Sequence, residues 1–288
     1  MQNLFSQNHP KGLYLLFFIE MWERFSYYGF RALLVLYMIQ VLMYPTQKAG
    51  NIYGIYTGLV YLTPLIGGYI ADRYLGQRKC ITIGMIFTIL GLFLLAFSPK
   101  YLFIFALFLI ICANGFFKSN ISSLVGLLYE NDDKKKDSAF TIFYMGINVG
   151  AFLAPLICAT LAFKYGFKWG FASAGIGMFI GLCMYKILEN NLLGNIGLKP
   201  VISRKENSEK EESNTKILYL IILMIFTIPF WICFEQAGSS LTLFAEYETK
   251  RSFFGHIIPT GYFQALNPFF IIILAHTIKH MDYIKNKV

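Results

Sequence analysis

Glu20, Glu23, Arg24, Tyr27, Tyr28 and Arg31 fall at i, i+3, i+4, i+7, i+8 and i+11. At about 100° per residue, all six lie within an arc of roughly 140° on one helical stripe. The carboxylates can take up and return protons. The guanidiniums can pair with them or with a ligand carboxylate, and the phenols can hydrogen-bond to either. The stripe is set in an apolar run, 13–43, that holds fifteen Leu, Ile, Val or Phe residues. On an insertion scale these favour the membrane by roughly −5 to −9 kcal/mol, whereas four ionisable groups near a helix centre cost roughly +10 to +14 kcal/mol. An isolated lipid-facing helix loses that comparison. The stripe must face a bundle interior or a wet cavity.

Other apolar runs carry groups of matching chemistry: Tyr61, Asn114 with Lys118, Tyr144 with Asn148, and Trp231 with Glu235 and Ser239. Gln264 and Asn267 follow, the latter directly before Pro268. Glu20, Glu23 and Glu235 thus face Arg24, Arg31 and Lys118 in number. Two readings are open. One is a structural network that locks helices together; the other is a substrate cavity whose acids exchange protons as their partners move. Six charges exceed what a purely structural lock needs, which favours the cavity. The mix suits a ligand with a carboxylate, an amine and some apolar surface.

The elements that hold these residues follow from composition. The 288-residue chain is 56% hydrophobic and 14% charged, with a mean hydropathy of +0.54, which places it among polytopic membrane proteins. Apolar runs at 13–43, 52–72, 80–98, 101–128, 139–163, 167–188, 216–245 and 257–278 predict eight membrane-spanning helices, each able to cross a core of about 30 Å. Nothing alternates as in a β-barrel, and no cleavable signal peptide is apparent. The net charge of +9 is a matter of topology. With the N-terminus inside, cytoplasmic segments receive Lys11, Arg73, Arg78, Lys79, Lys134–Lys136, the basic residues from Lys186 to Lys216, and the tail lysines. Only Lys48, Lys100, Lys164, Lys168, Lys250 and Arg251 fall outside. That bias puts both termini in the cytoplasm and argues against a nucleic-acid partner.

Cys80, Cys112, Cys158, Cys183 and Cys233 stand singly, and the four histidines lack metal-ligand spacing, so no metal is expected. Gly146/Gly150, Gly166/Gly170 and Gly177/Gly181 read as close helix packing. Three regions follow: residues 1–188 as a six-helix bundle, 189–215 as a polar cytoplasmic linker, and 216–288 as two helices with a basic tail.

The run Glu20-Met21-Trp22-Glu23-Arg24-Phe25-Ser26-Tyr27-Tyr28-Gly29 resembles the E-x-x-E-R-F-x-Y-Y-G motif of the proton-dependent oligopeptide transporters, a branch of the major facilitator superfamily. Phe143-Tyr144-Met145-Gly146-Ile147-Asn148-Val149-Gly150 resembles that family's F-Y-x-x-I-N-x-G signature. Gly67-Gly68 through Asp72-Arg73, with Gly76-Gln77-Arg78-Lys79, resembles the superfamily's loop between helices two and three. Phe230-Trp231 through Glu235-Gln236-Ala237-Gly238-Ser239-Ser240 and Gln264 to Pro268 resemble its helices seven and eight.

The resemblance implies an all-α, major-facilitator-type helix bundle. This chain would supply a complete N-terminal six-helix half and the first two helices of the second half. It implies proton-coupled uptake of di- and tripeptides by alternating access across the cytoplasmic membrane, with protons as the coupling ion, no further cofactor and no enzymatic chemistry. Glu20, Glu23, Arg24, Lys118 and Glu235 would couple protons, with Lys118 partnering the helix-one acids and Arg31 exchanging between Glu235 and a substrate carboxylate. Tyr28, Arg31, Tyr61, Lys118, Tyr144, Asn148, Trp231 and Asn267 would line the peptide site. Gly68, Asp72, Arg73, Gly76, Arg78 and Lys79 would form a cytoplasmic gating motif, with simple positive-inside anchoring as the alternative for its basic residues.

The chain departs from the family in two places. A polar linker stands where many bacterial members insert a helix pair, and helices nine to twelve have no counterpart. The expectation is therefore a truncated or split transporter, completed by a separately encoded C-terminal half or covered in an oligomer. The competing readings are a non-transporting peptide sensor or assembly subunit, or an inactive remnant.

Overall fold

The computed structural model describes residues 9–97, 99–129, 133–200 and 214–285. Residues 201–213 of the polar linker expected at 189–215, and the extreme end of the basic tail, lie outside the described residues. Eight long helices account for nearly all of the rest: α1 (Lys11–Gln40), α2 (Thr46–Ile70), α3 (Gln77–Phe97), α4 (Pro99–Leu127), α5 (Asp133–Tyr165), α6 (Phe167–Leu193), α7 (Asn214–Glu235) and, after a short helix α8 (Ser240–Tyr247), α9 (Tyr262–Lys285). At 1.5 Å per residue, even the 21 residues of α3 reach about 30 Å. By length and apolarity combined, six stretches qualify as spans: Thr46–Leu75, Gln77–Phe97, Tyr101–Leu127, Lys135–Tyr165, Phe167–Leu193 and Ile222–Tyr247. The first helix has the length, at 30 residues, but its charges count against it. The apolar part of α9 is the shorter Tyr262–Ala275. The eight spans read from the sequence thus correspond to eight long helices, of which six stand as spans on composition alone.

The first helix is the axis of the bundle. It packs along α5 and α6, and both its apolar flanks and its charged stripe are buried. Leu33, Leu34, Val35, Tyr37 and Met38 join Tyr53, Tyr56, Phe103 and Phe171 in one apolar cluster. Leu13, Leu16 and Ile19 join Ile81, Phe117, Phe143 and Tyr185 in another, nearer the chain's start. The charged groups lie between the two. Close approach of α1 and α5 depends on Gly150, where an added Cβ would sit 2.2 Å from the Met21 carbonyl oxygen.

The helices on the other side of the site are far less covered. Along α7, Leu223, Met224, Phe226, Phe230 and Ile232 are all exposed, and α9 meets the bundle mainly through α5. The seventh helix also ends abruptly: Gln236–Gly238 tighten into a 3-10 turn before α8 resumes at Ser240. Ser239 and Ser240 both donate to Gln236 Oε1, and Thr242 Oγ1 donates to the Ala237 carbonyl at 2.7 Å. The Thr242 hydroxyl thereby satisfies a carbonyl at the break, while the two serines tie down the Gln236 side chain. A two-strand hairpin, β1 (Ser252–Phe253) with β2 (His256–Ile257), links α8 to α9. Glu246 pins this segment by pairing with Arg251 at 3.0 Å and accepting from Thr260 Oγ1.

Candidate functional site

The stripe on α1 forms two charged centres about two turns apart. In the first, Arg24 Nε lies 3.0 Å from Glu20 Oε1 and 2.5 Å from Glu23 Oε2, with all three side chains at most 6% exposed. One guanidinium therefore serves two acids, and its Cζ lies 5.2 Å from the centre of the Tyr27 ring. Glu20 Oε2 and Arg24 Nη2 are buried without a hydrogen-bond partner, so the cluster is not saturated.

In the second centre, Arg31 Nη2 meets Glu235 Oε2 of α7 at 2.9 Å and Arg31 Nε donates to the Tyr53 hydroxyl at 2.9 Å. Tyr61 donates to Glu235 Oε1 at 2.9 Å, and the Tyr53 hydroxyl reaches Oε2 of the same carboxylate at 3.4 Å. Glu235 thus has a cation and two phenols around it, supplied by α1 and α2. The fit depends on Gly238, where a Cβ would lie 1.9 Å from the Tyr53 hydroxyl and 2.9 Å from Arg31 Nε. The break after Glu235 presses bare backbone against the pair that holds the carboxylate.

A cavity of about 660 Å³ opens beside this centre, between α2 and the α7–α8 segment. Tyr53, Tyr61, Trp231, Glu235, Gln236 and Ser239 are among its walls. Its size suits a small organic ligand, and its chemistry combines a few polar groups with aromatic surface. The Trp231 ring leans on Tyr61 at 5.9 Å between centroids.

The structure brings together only part of the site expected from the sequence. Arg31, Tyr61, Trp231 and Glu235 meet as expected, and the Tyr28 ring flanks Arg31 at 5.9 Å. Lys118 does not pair with the helix-one acids. Its ammonium sits 4.7 Å from the centre of the Tyr61 ring, and Arg24 takes both carboxylates. The reason is reach: Arg24 shares a helix with the acids, at i−4 and i−1, whereas Lys118 comes from α4. Tyr144, Asn148 and Asn267 are not among the cavity's walls. Tyr144 and Asn267 are exposed, and buried Asn148 donates to the Tyr144 carbonyl at 2.9 Å.

The cytoplasmic motif divides in a similar way. Gly68 lies on α2 facing Ser119 of α4, Asp72 accepts from Gln77 Nε2 at 3.0 Å, and Arg73 stays exposed against Tyr69. Lys79 is exposed too. Arg78 turns inward instead. It meets Glu189 Oε2 at 3.1 Å, Asn190 Oδ1 at 2.6 Å and the Gly194 carbonyl at 2.8 Å. Its own amide donates to the Gly197 carbonyl, which caps the start of α3 from a distant loop. Gly76, at φ +78°, lets that loop approach, because a Cβ there would stand 2.6 Å from the Leu198 carbonyl oxygen.

Against known proteins, residues 78–190 and 188–283 match the family model described as PTR2, the POT family. The chain belongs to the POT family. It is 33% identical over 339 residues to the peptide transporter YePEPT of Yersinia enterocolitica subsp. palearctica serotype O:3 (strain YE-P4), an alignment that covers 93% of this chain and 66% of that one. It is 30% identical over 321 residues to dipeptide and tripeptide permease A of Proteus mirabilis (strain HI4320), covering 95% and 65%. Among solved structures, the peptide transporter POT in complex with sulfate superposes with a TM-score of 0.79 at 34% identity, over 96% of this chain and 69% of that one. The chain spans about two thirds of the length of the curated relatives it matches.

Membership of the POT family accords with the all-α, multi-span fold and with the helix-bundle architecture. Three residues of this POT chain's site escaped the sequence reading. Tyr53 is the hub of the Glu235 centre, and its signal was the Tyr53, Thr57, Tyr61 spacing at i, i+4 and i+8, which puts all three on one face of α2. Glu189 and Asn190 hold Arg78 from the end of α6, in a stretch read as linker, and no local pattern pointed to them.

Proposed function

We propose that this POT-family chain takes part in proton-coupled uptake of di- and tripeptides across the cytoplasmic membrane, with both termini cytoplasmic. The observation that carries the proposal is the buried Arg31–Glu235 pair at the wall of a ligand-sized cavity, on the same helix as the Glu20/Glu23/Arg24 cluster. A buried ion pair gains most of its strength from low local dielectric, so it is sensitive to one proton. Protonation of Glu235 removes the charge that holds Arg31. The guanidinium is then available to a peptide carboxylate, with Tyr61 and Trp231 beside it. Proton loss restores the pair and displaces the carboxylate. Such exchange biases a two-state equilibrium by differential binding, which is what alternating access requires.

In this reading Arg24 keeps the charges of Glu20 and Glu23 in check, and Lys118 joins the substrate site through Tyr61. Residues 1–188 act as one bundle, 189–215 as the connection and 216–288 as part of the opposing wall. The names of two relatives support the substrate class: one is called a peptide transporter and the other a dipeptide and tripeptide permease. The test is reconstitution of the 288-residue chain into liposomes with an imposed proton gradient and a labelled dipeptide. Gradient-dependent accumulation is expected, by this chain alone or once a separately encoded C-terminal half completes it. Glu235→Gln is expected to abolish accumulation while exchange of peptide across the membrane continues, and undiminished accumulation in that variant would reject the role of Glu235. Peptide binding without uptake by the unmodified chain would instead assign it as a sensor or a half-site, in line with the exposed faces of α7 and α9.

A further inference from the structure

Another, much smaller cavity lies beside Glu23 of the charged cluster. It is enclosed by Glu23, Ser26, Tyr27 and Phe30 of α1, Thr88 and Leu92 of α3, and Ile110 and Asn114 of α4. Its volume is about 10 Å³, close to the minimum of roughly 10–15 Å³ that admits one water. Two of the polar groups around it are acceptors without a hydrogen-bond donor, and two are hydroxyls whose hydrogens are already committed. Asn114 is 4% exposed and its Oδ1 has no hydrogen-bond partner. Glu23 Oε2 touches Arg24 Nε but makes no well-aligned hydrogen bond. Ser26 has given its hydrogen to the Ala174 carbonyl at 2.7 Å, and Thr88 has given its own to Gly84 at 3.1 Å. An unsatisfied buried acceptor costs about 1–3 kcal/mol, so two around one pocket favour a shared donor.

We propose that this cavity binds a single water held by Asn114 and Thr88 against the Glu23 carboxyl. Asn114 is then a positioning residue for the acid pair. The site deepens the proton-coupling reading given above, but its geometry does not depend on peptide being the cargo. A water has two hydrogens, and here they go to Glu23 and Asn114 while Glu23 is ionised. When Glu23 is protonated, its hydroxyl donates to the same water, which still donates to the amide and turns its freed hydrogen to the Thr88 hydroxyl oxygen, an acceptor because Thr88 has given its own hydrogen to Gly84. The amide can also turn and donate its own N–H. One water and one asparagine therefore serve both ionisation states without moving a helix. The Arg24 guanidinium, at i+1 from Glu23, offers no such adaptability because it has donors only.

The experiment is infrared difference spectroscopy of the full chain in lipid vesicles, in water and in oxygen-18 water, across a pH step. The native protein is expected to show a water O–H band that changes across the pH step and shifts with oxygen-18, together with a carboxyl C=O band that Glu23→Gln removes. In Asn114→Leu, whose side chain fills the pocket, the water band is expected to be lost and the carboxyl band to move to higher frequency as its hydrogen bond disappears. Thr88→Val is the milder second variant, and it should weaken the same water band should Asn114→Leu fail to fold. A water band unchanged in both variants, or absent from the native protein, overturns the proposal. So does a Glu23 carboxyl band that stays in place when Asn114 is replaced. These readouts need no transport, so a failure of peptide uptake leaves the test intact.

Discussion

Arg24 stands between two carboxylates with almost no water to share the load, and that makes it the residue whose loss should cost most. Removing one partner of a buried ion pair typically destabilises by about 3–5 kcal/mol, because the charges left behind are uncompensated, whereas replacing the whole group by apolar or neutral side chains is close to neutral. Arg24→Met is therefore expected to lower the thermal unfolding temperature sharply in detergent. The triple variant with Glu20→Gln and Glu23→Gln should recover most of that loss. A triple variant as unstable as the single one would show that Arg24 matters for packing and not for charge. Gly238 makes a second residue-level case. An alanine there overlaps the Tyr53 hydroxyl at 1.9 Å, and overpacking of this kind costs about 1–3 kcal/mol. Removing the hydroxyl with Tyr53→Phe should rescue Gly238→Ala in part, since the ring carbon behind it remains 2.7 Å away. Equal melting temperatures for Gly238→Ala and the double variant would sink that explanation.

Helices decide which of these residues meet, and here the sequence was legible in some places and opaque in others. The charged stripe of α1 announced itself because four ionisable groups cannot face lipid. Glu235 was equally conspicuous as an acid in an apolar run, so its pairing with Arg31 needed little more than charge balance. Tyr53 was opaque because tyrosine is common in membrane helices, and only the angle at which α2 meets α1 and α7 selects it over its neighbours. Lys118 was legible only in part: it lies within electrostatic reach of the helix-one acids, but the arginine on their own helix makes the direct contacts and the lysine ammonium settles over Tyr61. Arg78 was legible as part of a motif, while its acceptors were not, since they lie on an element more than a hundred positions away. That arrangement predicts a clamp between α3 and the end of α6. Arg78→Ala removes contacts to Glu189, Asn190 and Gly194 and unsettles the loop whose Gly197 carbonyl caps α3. Amide hydrogen exchange at Ile196 and Leu198 should quicken several-fold in this variant while exchange at the middle of α1 stays slow. Unchanged protection at the loop would mean that backbone contacts alone hold it.

At the scale of the whole molecule, the two sides of the cavity differ in how much protein backs them. The α1–α6 side buries two apolar clusters, whereas α7 shows Leu223 at 63%, Met224 at 66% and Phe226 at 77% exposure. In water such a surface would drive association; in a bilayer, lipid tails are as apolar as leucine and give no comparable drive. The physical expectation for the 288-residue chain is that acyl chains bathe α7. A single-tryptophan protein tests this, made by replacing Trp22, Trp169 and Trp231 with Phe and then introducing Phe226→Trp. In vesicles whose lipids carry bromine on the acyl chains, its fluorescence should be quenched about as strongly as that of a matched protein with Phe179→Trp on α6, where the native side chain is 52% exposed. Shielding at 226 with strong quenching at 179 would mean that protein covers α7. Diluting the chain in lipid then separates the sources. A second copy comes off as protein becomes scarce, which restores quenching, whereas a covering segment of the same chain shields at every dilution. The distinction bears directly on uptake, because an α7 bathed in lipid leaves Glu235 a side chain away from hydrocarbon, where restoring its pair with Arg31 is strongly favoured over leaving either charge alone.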